Sequence, residues 1–262
     1  MPVLSLHLRH ADTIAVVTGG GQGVGLAIAR QLVAEGCKSI ALVGRDLSKL
    51  RAAAETLPDA LVETIAGDVS KVDDCQAIFA RATAALGTPN VLVNAAATSA
   101  RGTLVDTSEA TFDAIFATNV KGPFFMSQQL VRGVLEAGTP AAIVNILSMA
   151  AHGGAANLTP YSASKGALAT LTRNIAHAYR ADRIRCNAIL PGWMDTPGED
   201  LVQRKWHGAG DDWLAQAEAA QPMGQLVKPD QLALLASYMA SLDAGVMTGS
   251  LVDYDQTVVG AA

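Results

Sequence analysis

Charge, aromatic rings and cysteine are all scarce in this chain. Of its 262 residues only 16% are charged and 5% aromatic, and three are cysteine. The formal net charge is −5, with no basic run. That excludes nucleic acid and anionic membrane as principal partners, because phosphates are bound by clustered cations. Cys37, Cys75 and Cys186 are odd in number and far apart. They suit a reducing compartment and read as small buried hydrophobes, not a disulfide framework. Long apolar runs are missing too. The longest uncharged stretch, Ala137 to Ser164, is repeatedly broken by Gly, Pro, Asn and His, so it does not read as a membrane span. The opening residues, MPVLSLHLRHAD, lack the charged-then-apolar layout of a secretory signal. A cytoplasmic protein is expected.

What the chain does have is apolar residue, half of the total, in a regular alternation. Short β-rich runs lie at 13–19, 39–44, 61–69, 90–96, 141–148, 184–192 and 249–255, most of them apolar throughout, as strands buried on both faces are. Between them lie Ala- and Leu-rich segments at helical spacing, such as GLAIARQLVAEG ending in Gly36. The pattern predicts a single α/β domain over 1–262: a doubly wound, seven-stranded parallel sheet with helices on both faces. One segment does not read as core. Residues 196–225 are polar and carry Arg204, Lys205, Trp206, His207 and Trp213; they are expected to form an insertion at the cleft entrance, a substrate lid or else a solvated helix with one packing Trp.

The stretch TGGGQGVG, residues 18–25, holds five glycines in the seven positions after Thr18. Each glycine costs roughly 0.5–1 kcal/mol against alanine in regular structure, so something must need the backbone bare. The glycines lie where the first strand turns into the first helix, and free N–H groups at a helix start attract anions. The spacing T-G-x-x-x-G-x-G, on Gly19, Gly23 and Gly25, is one residue longer than the commoner dinucleotide fingerprint. A nucleotide pyrophosphate is the expected occupant.

In the second half, SMAAHGGAANLTPYSASKGAL supplies Ser148, Tyr161 and Lys165. Pro160 marks a helix start, and Tyr161 and Lys165 stand at i and i+4 on one face. A cation beside a phenol favours the phenolate; operation near neutral pH needs a depression of ~2–3 units from ~10. Such a tyrosine can exchange a proton with an alcohol or carbonyl. Ser148, at the end of a predicted strand, can bond the same substrate oxygen.

At these residues the sequence resembles the short-chain dehydrogenase/reductase family, classical type, over nearly its whole length. TGGGQGVG is similar to the family's cofactor turn, implying cofactor contacts from Gly19, Gly21, Gln22, Gly23, Val24 and Gly25. GDV at 67–69 resembles the adenine-contacting stretch, with Asp68 and Val69. NAAA at 94–97 is a variant of its N-N-A-G motif, giving Asn94, Ala95 and Ala96. TNVKG supplies Asn119, which with Ser148, Tyr161 and Lys165 resembles the catalytic tetrad. PGWMDT resembles the segment that holds a nicotinamide, through Pro191, Gly192, Met194 and Thr196. The departures are Ala95 and Ala97 for Asn and Gly, expected to loosen a central-sheet hydrogen bond, and DYDQT for a more usual D-G-G.

The resemblance implies a Rossmann-type fold and hydride transfer between nicotinamide C4 and a carbonyl or secondary alcohol carbon. Tyr161 would be the general acid or base, Ser148 would polarise the substrate oxygen, Lys165 would bind ribose and lower the Tyr161 pKa, and Asn119 would hold a water relay. No metal is implied. His152 and Trp193 are expected to line the substrate pocket beside Ser148 and Tyr161. In LVGRD the strand ends at Val43–Gly44, leaving the ribose-binding acidic slot empty and Arg45 facing a 2′-phosphate. NADP(H) is therefore expected over NAD(H), although Asp46 serves as the ribose acid if the turn is tighter and Gln22 lies where NADP-using relatives carry a second base. The expected substrate is a small polar secondary alcohol or carbonyl of the sugar, polyol or hydroxy-acid class. The alternatives are a 3-oxoacyl-thioester reductase and, more distantly, a non-catalytic nucleotide sensor. The family habit also implies a homotetramer, toward which the uncharged tail TVVGAA and the stretches FATNVKGPFF and Ser164–Tyr179 would contribute.

Overall fold

The computed structural model describes residues 8–260. Seven strands form one parallel sheet: β1 (Ile14–Thr18), β2 (Ser39–Gly44), β3 (Leu61–Ala66), β4 (Val91–Asn94), β5 (Ala141–Ile146), β6 (Ile184–Pro191) and β7 (Leu251–Tyr254). Their order across the sheet is β3-β2-β1-β4-β5-β6-β7. The chain thus reverses direction of travel beside β1, which opens a crevice at the carboxyl ends of β1 and β4. The predicted strands are all present, β2 with the expected bounds and the other six shorter at one or both ends.

Both faces of the sheet are covered, which is why the strands show no polar alternation. Ala15, Val17, Ile40, Leu42 and Val93 point toward α1 (Gly23–Ala34) and α9 (Pro229–Ala240), where they meet Ile28, Leu32, Leu232 and Met239. Their strand neighbours Val16, Ala41, Val43 and Leu92 point to the other face. There α3 (Val72–Leu86) brings Ile78 and Phe79, α5 (Gly122–Ala137) brings Met126 and Leu130, and α6 (Thr159–Tyr179) brings Ile175. The three cysteines are free thiols buried in these layers.

One polar network crosses the core. Asn94 donates to Asn145 Oδ1 (2.8 Å), its register partner on β5, and Asn145 donates to Thr172 Oγ1 (2.9 Å) on α6. Buried amides that are fully bonded fix register at little net cost. The expected loosening around Ala95 does not occur. The Thr18 hydroxyl accepts the amides of both Ala95 and Ala96 (3.1 Å each) and donates to Val93 O, so β1 itself holds the end of β4.

Segment 196–225 folds as two short helices, α7 (Pro197–His207) and α8 (Trp213–Ala219). Its polar character is used internally. Arg204 pairs with Asp200 (3.0 Å) and Asp211 (2.8 Å), and the buried Trp213 indole donates to Asp200 (2.7 Å). The side chain of Trp206, and the tail residues Ala261 and Ala262, lie outside the described residues.

Candidate active site

A cavity of about 540 Å³ lies at the crevice. Gly19, Gly21, Gln22, Gly23, Val24 and Gly25 form one wall, and Arg45, Asp68, Val69, Ala95, Ala96 and Thr196 close round it. Its shape depends on missing side chains at two positions above all. Gly19 has φ +69°, the left-handed region, and a Cβ on Gly25 would lie 2.4 Å from Gly19 O. The first glycine makes the turn and the last lets α1 pack against it. Helix α1 begins here with no side-chain cap on its first amides and no acid in its first turn. This is a cradle for an anionic pyrophosphate.

The ribose end carries more charge than the sequence reading assigned. Asp46 caps α2 (Leu47–Ala54), accepting from the amides of Ser48 (2.9 Å) and Lys49 (3.2 Å) and from the Ser48 hydroxyl (2.6 Å). Those bonds, the Ser48 hydroxyl first, hold its carboxyl below the usual range. All three bonds go to Oδ1, and Asp46 lines the same cavity as Arg45, so an acid and a base both stand at the ribose end. Lys49 lines the same cavity as Arg45 and donates to Gln22 Oε1 (2.9 Å). The sequence reading missed it. Its signal is the helix start D-x-S-K, which puts the fourth residue back over the cap.

Of the remaining candidates Thr196 is on the cavity wall, and Asn94, Pro191, Gly192 and Met194 are not among its lining residues. The Asn94 side chain is in the core network. Trp193 O and Asp195 N bond to Val227, a bridge that leaves the N–H and C=O of Met194 unused, and Pro191 is the last residue of β6. Gly192 is packed against Asp255, where a Cβ would fall 1.9 Å from Oδ1; this is the position at which DYDQT departs from D-G-G. Thr196 caps α7 by accepting Glu199 N (3.1 Å).

Ser148, Tyr161, Lys165 and Asn119 are brought together from three elements. Tyr161 and Lys165 share a face of α6, with Lys165 Nζ 5.6 Å from the ring centroid. Ser148, two residues beyond β5, hydrogen-bonds the Tyr161 hydroxyl. Lys165 is fully buried and donates to Ile146 O (2.7 Å). Desolvation draws its pKa down to about 7. Burial also pushes the Tyr161 hydroxyl up, the Ser148 bond and the Arg101 charge only partly opposing it. The expected depression of Tyr161 by Lys165 is therefore corrected: in this chain both groups are drawn toward their neutral forms, because the pocket that joins them also strips water from them.

Asn119 lies in a π-helical turn, Ala117–Lys121, between α4 (Glu109–Phe116) and α5. Such turns recur at functional sites because they displace one residue from the helical register. Its amide donates to Thr98 O (2.9 Å) and Ser164 Oγ (3.0 Å) and accepts from Thr98 N (2.9 Å). Ser164 in turn donates to Tyr161 O (2.7 Å). Both amide hydrogens are thus used inside the protein, and Asn119 fixes the start of α6 through Ser164. A water relay at this residue is left with the spare Oδ1 lone pair or main-chain groups. His152 pairs with Asp253 (2.8 Å), and the half-exposed Trp193 donates to Glu199 (2.8 Å) and stacks on Trp213.

A dinucleotide cradle at the switch point, with the half-buried Tyr161 and Ser148 and the buried Lys165 beside it, defines the protein as a dinucleotide-dependent oxidoreductase. Comparison with known proteins agrees. Residues 19–256 match the family described as enoyl-(acyl carrier protein) reductase. The chain is 33% identical over 251 residues to 2-(S)-hydroxypropyl-CoM dehydrogenase 3 of Xanthobacter autotrophicus, covering 94% of this chain and 96% of that one. It is 34% identical over 245 residues to galactitol 2-dehydrogenase (L-tagatose-forming) of Cereibacter sphaeroides, covering 92% of each. A crystal structure of a short-chain type dehydrogenase/reductase from Mycobacterium marinum superposes with TM-score 0.88 at 25% identity, covering 98% of this chain and all of that one. The chain belongs to the short-chain dehydrogenase/reductase family, and is an oxidoreductase of the alcohol dehydrogenase kind that works with a nicotinamide cofactor.

Proposed function

We propose that the enzyme interconverts a small polar secondary alcohol and its carbonyl with NADP(H), Tyr161 handling the proton. The observation that carries this is the placing of Tyr161 and Lys165 on one face of α6, Nζ 5.6 Å from the ring centroid, with Ser148 acting on the Tyr161 hydroxyl. When bound, the nicotinamide supplies or takes the hydride. In reduction the Tyr161 hydroxyl gives its proton to the carbonyl oxygen as hydride reaches the carbon, and the phenolate so formed regains a proton from solvent. In oxidation Tyr161 first loses its proton to solvent, and the phenolate then takes the substrate hydroxyl's proton as hydride leaves the carbinol carbon. Ser148 holds the substrate oxygen against Tyr161. Lys165 keeps a proton within reach of the pair and offers its ammonium to ribose hydroxyls. Asn119 positions α6 through Ser164. The polyol and hydroxyalkyl substrates named for the two relatives support the substrate class.

Gly19 to Gly25, with Asp68, Val69, Ala95, Ala96 and Thr196, would hold the dinucleotide, and Arg45 with Lys49 would meet a 2′-phosphate. Segment 196–225 acts as the substrate lid, with Trp193 and His152 below it. A homotetramer is proposed as the working form; the exposed apolar residues Leu242, Val246, Val258 and Val259 support it. No helix among the described residues is long and apolar enough to cross a membrane, in keeping with a cytoplasmic enzyme. Tyr161→Phe keeps the ring and removes the proton. Turnover should fall at least ~10²-fold with cofactor affinity little changed; a variant that keeps most of wild-type kcat on a turned-over alcohol refutes the assignment.

A further inference from the structure

The charges around the substrate side of the cleft are nearly all matched. His152 faces Asp253, Lys228 lies between Asp195 and Glu218, and Arg204 lies between Asp200 and Asp211. The Glu199 carboxylate accepts from the Trp193 indole (2.8 Å) and from Gln203 (2.7 Å). Arg101 is different. Its Nε is buried without a hydrogen-bond partner, and among the described residues its guanidinium has no ion pair.

Arg101 is not loosely placed. It follows β4 in the loop toward α4, and its neighbour Gly102 is bridged to Leu158. Gly102 N donates to Asn157 O (3.0 Å) and Thr159 N donates to Gly102 O (3.1 Å). The loop is therefore stitched to the turn that starts α6, and Tyr161 is on the first turn of that helix. The Arg101 charge acts on the Tyr161 hydroxyl. Yet Arg101 does not line the dinucleotide cavity, so its cation is not one of the groups facing the cofactor phosphates. A planar cation with fixed donors, held beside the proton-transfer group and left unpaired, is suited to a carboxylate or another small oxyanion.

We propose that Arg101 is a substrate-recognition residue and that the preferred substrate is an anionic secondary alcohol, a hydroxycarboxylate or hydroxyalkylsulfonate, whose charged end it binds while the carbinol meets Tyr161. The inference rests on the alcohol dehydrogenase reading above and narrows its substrate class. It also fits the charges around it: His152, Lys228 and Arg204 are each matched by a carboxylate, whereas Arg101 has no ion pair among the described residues.

The test compares matched compounds that differ only in charge, 3-hydroxybutyrate and its methyl ester, in wild type, Arg101→Gln and Arg101→Lys. Wild type should favour the acid in kcat/KM by about tenfold or more, the low end for a charge-assisted bond, chiefly through KM. Arg101→Gln should bring that ratio toward one and Arg101→Lys should keep part of it; rate effects common to both compounds cancel. No preference in wild type, or an unchanged ratio in Arg101→Gln, overturns the proposal. Inertness of both compounds with either cofactor would count against the alcohol reading alone. Tryptophan fluorescence of the enzyme with NADPH, titrated with butyrate, propanesulfonate and methyl butyrate, then decides separately. A saturable response to the two anions that Arg101→Gln abolishes supports the inference. Equal responses to the ester, no response, or an undiminished response in the variant overturns it.

Discussion

Replacing Lys165 with methionine should make the protein more stable and less active. The ammonium is fully buried and, among the described residues, its only hydrogen bond is to Ile146 O. Burial lowers its pKa from 10.5 to about 7. The folded state therefore binds this proton more weakly than the unfolded chain, and stability falls as pH drops from the unfolded pKa toward the folded one. Between those values each pH unit is worth ~1.4 kcal/mol. At pH 7 the accumulated cost is on the order of 4 kcal/mol, and at pH 9 on the order of 2. Methionine is similar in length and uncharged, so it escapes that cost but leaves Ile146 O without its donor, a loss of ~1 kcal/mol or more. The net gain expected at pH 7 is ~2–3 kcal/mol, shrinking to near zero at pH 9. Denaturant titrations of the cofactor-free enzyme at both pH values, at one protein concentration, read it directly. Turnover should collapse in the same variant. Equal or lower stability at pH 7, or a gain that grows with pH, would refute the reasoning about desolvation.

Arg45→Ala and Lys49→Ala should each raise the Kd for NADPH by ~10- to 100-fold, the span of charge-assisted bonds, and leave NADH nearly alone; equal weakening of both cofactors would show that neither residue reads the phosphate. Gly25→Ala should cost ~1–3 kcal/mol by overpacking, since its Cβ would fall 2.4 Å from Gly19 O, and cofactor binding should be lost with it; a variant of unchanged melting temperature and Kd contradicts the close approach. His10 is buried between Thr13 Oγ1 (3.0 Å) and Ser237 Oγ (2.8 Å), and desolvation lowers its pKa although Glu35 pulls the other way. Its unfolded form is protonated first, so stability should decline as pH falls below ~6.5 and His10→Gln should flatten that slope; an identical slope in the variant would assign it to other groups.

Much of the site was legible because its signals are local. The glycine turn needs a strand before it and a helix after it, and both follow from a short apolar run and a 3.6-residue periodicity within a dozen residues. Tyr161 and Lys165 share a face by their i, i+4 spacing alone, and the mostly apolar strands announced a sheet covered on both sides. What the sequence could not carry were properties summed over groups remote in the chain. The depression of Lys165 and the rise of Tyr161 come from water excluded by β5, α6 and the loops around them, so the spacing that suggested a stabilised phenolate missed the larger desolvation. Asp46 became a helix cap and Lys49 a wall of the cofactor cavity only once α2 had a start. The Arg101 charge acts on Tyr161 because Gly102 bridges Leu158 across more than fifty residues of chain. Local spacing determines which face a side chain occupies. Tertiary packing decides what it meets there and how much water it loses, and for charged groups those two quantities set the chemistry.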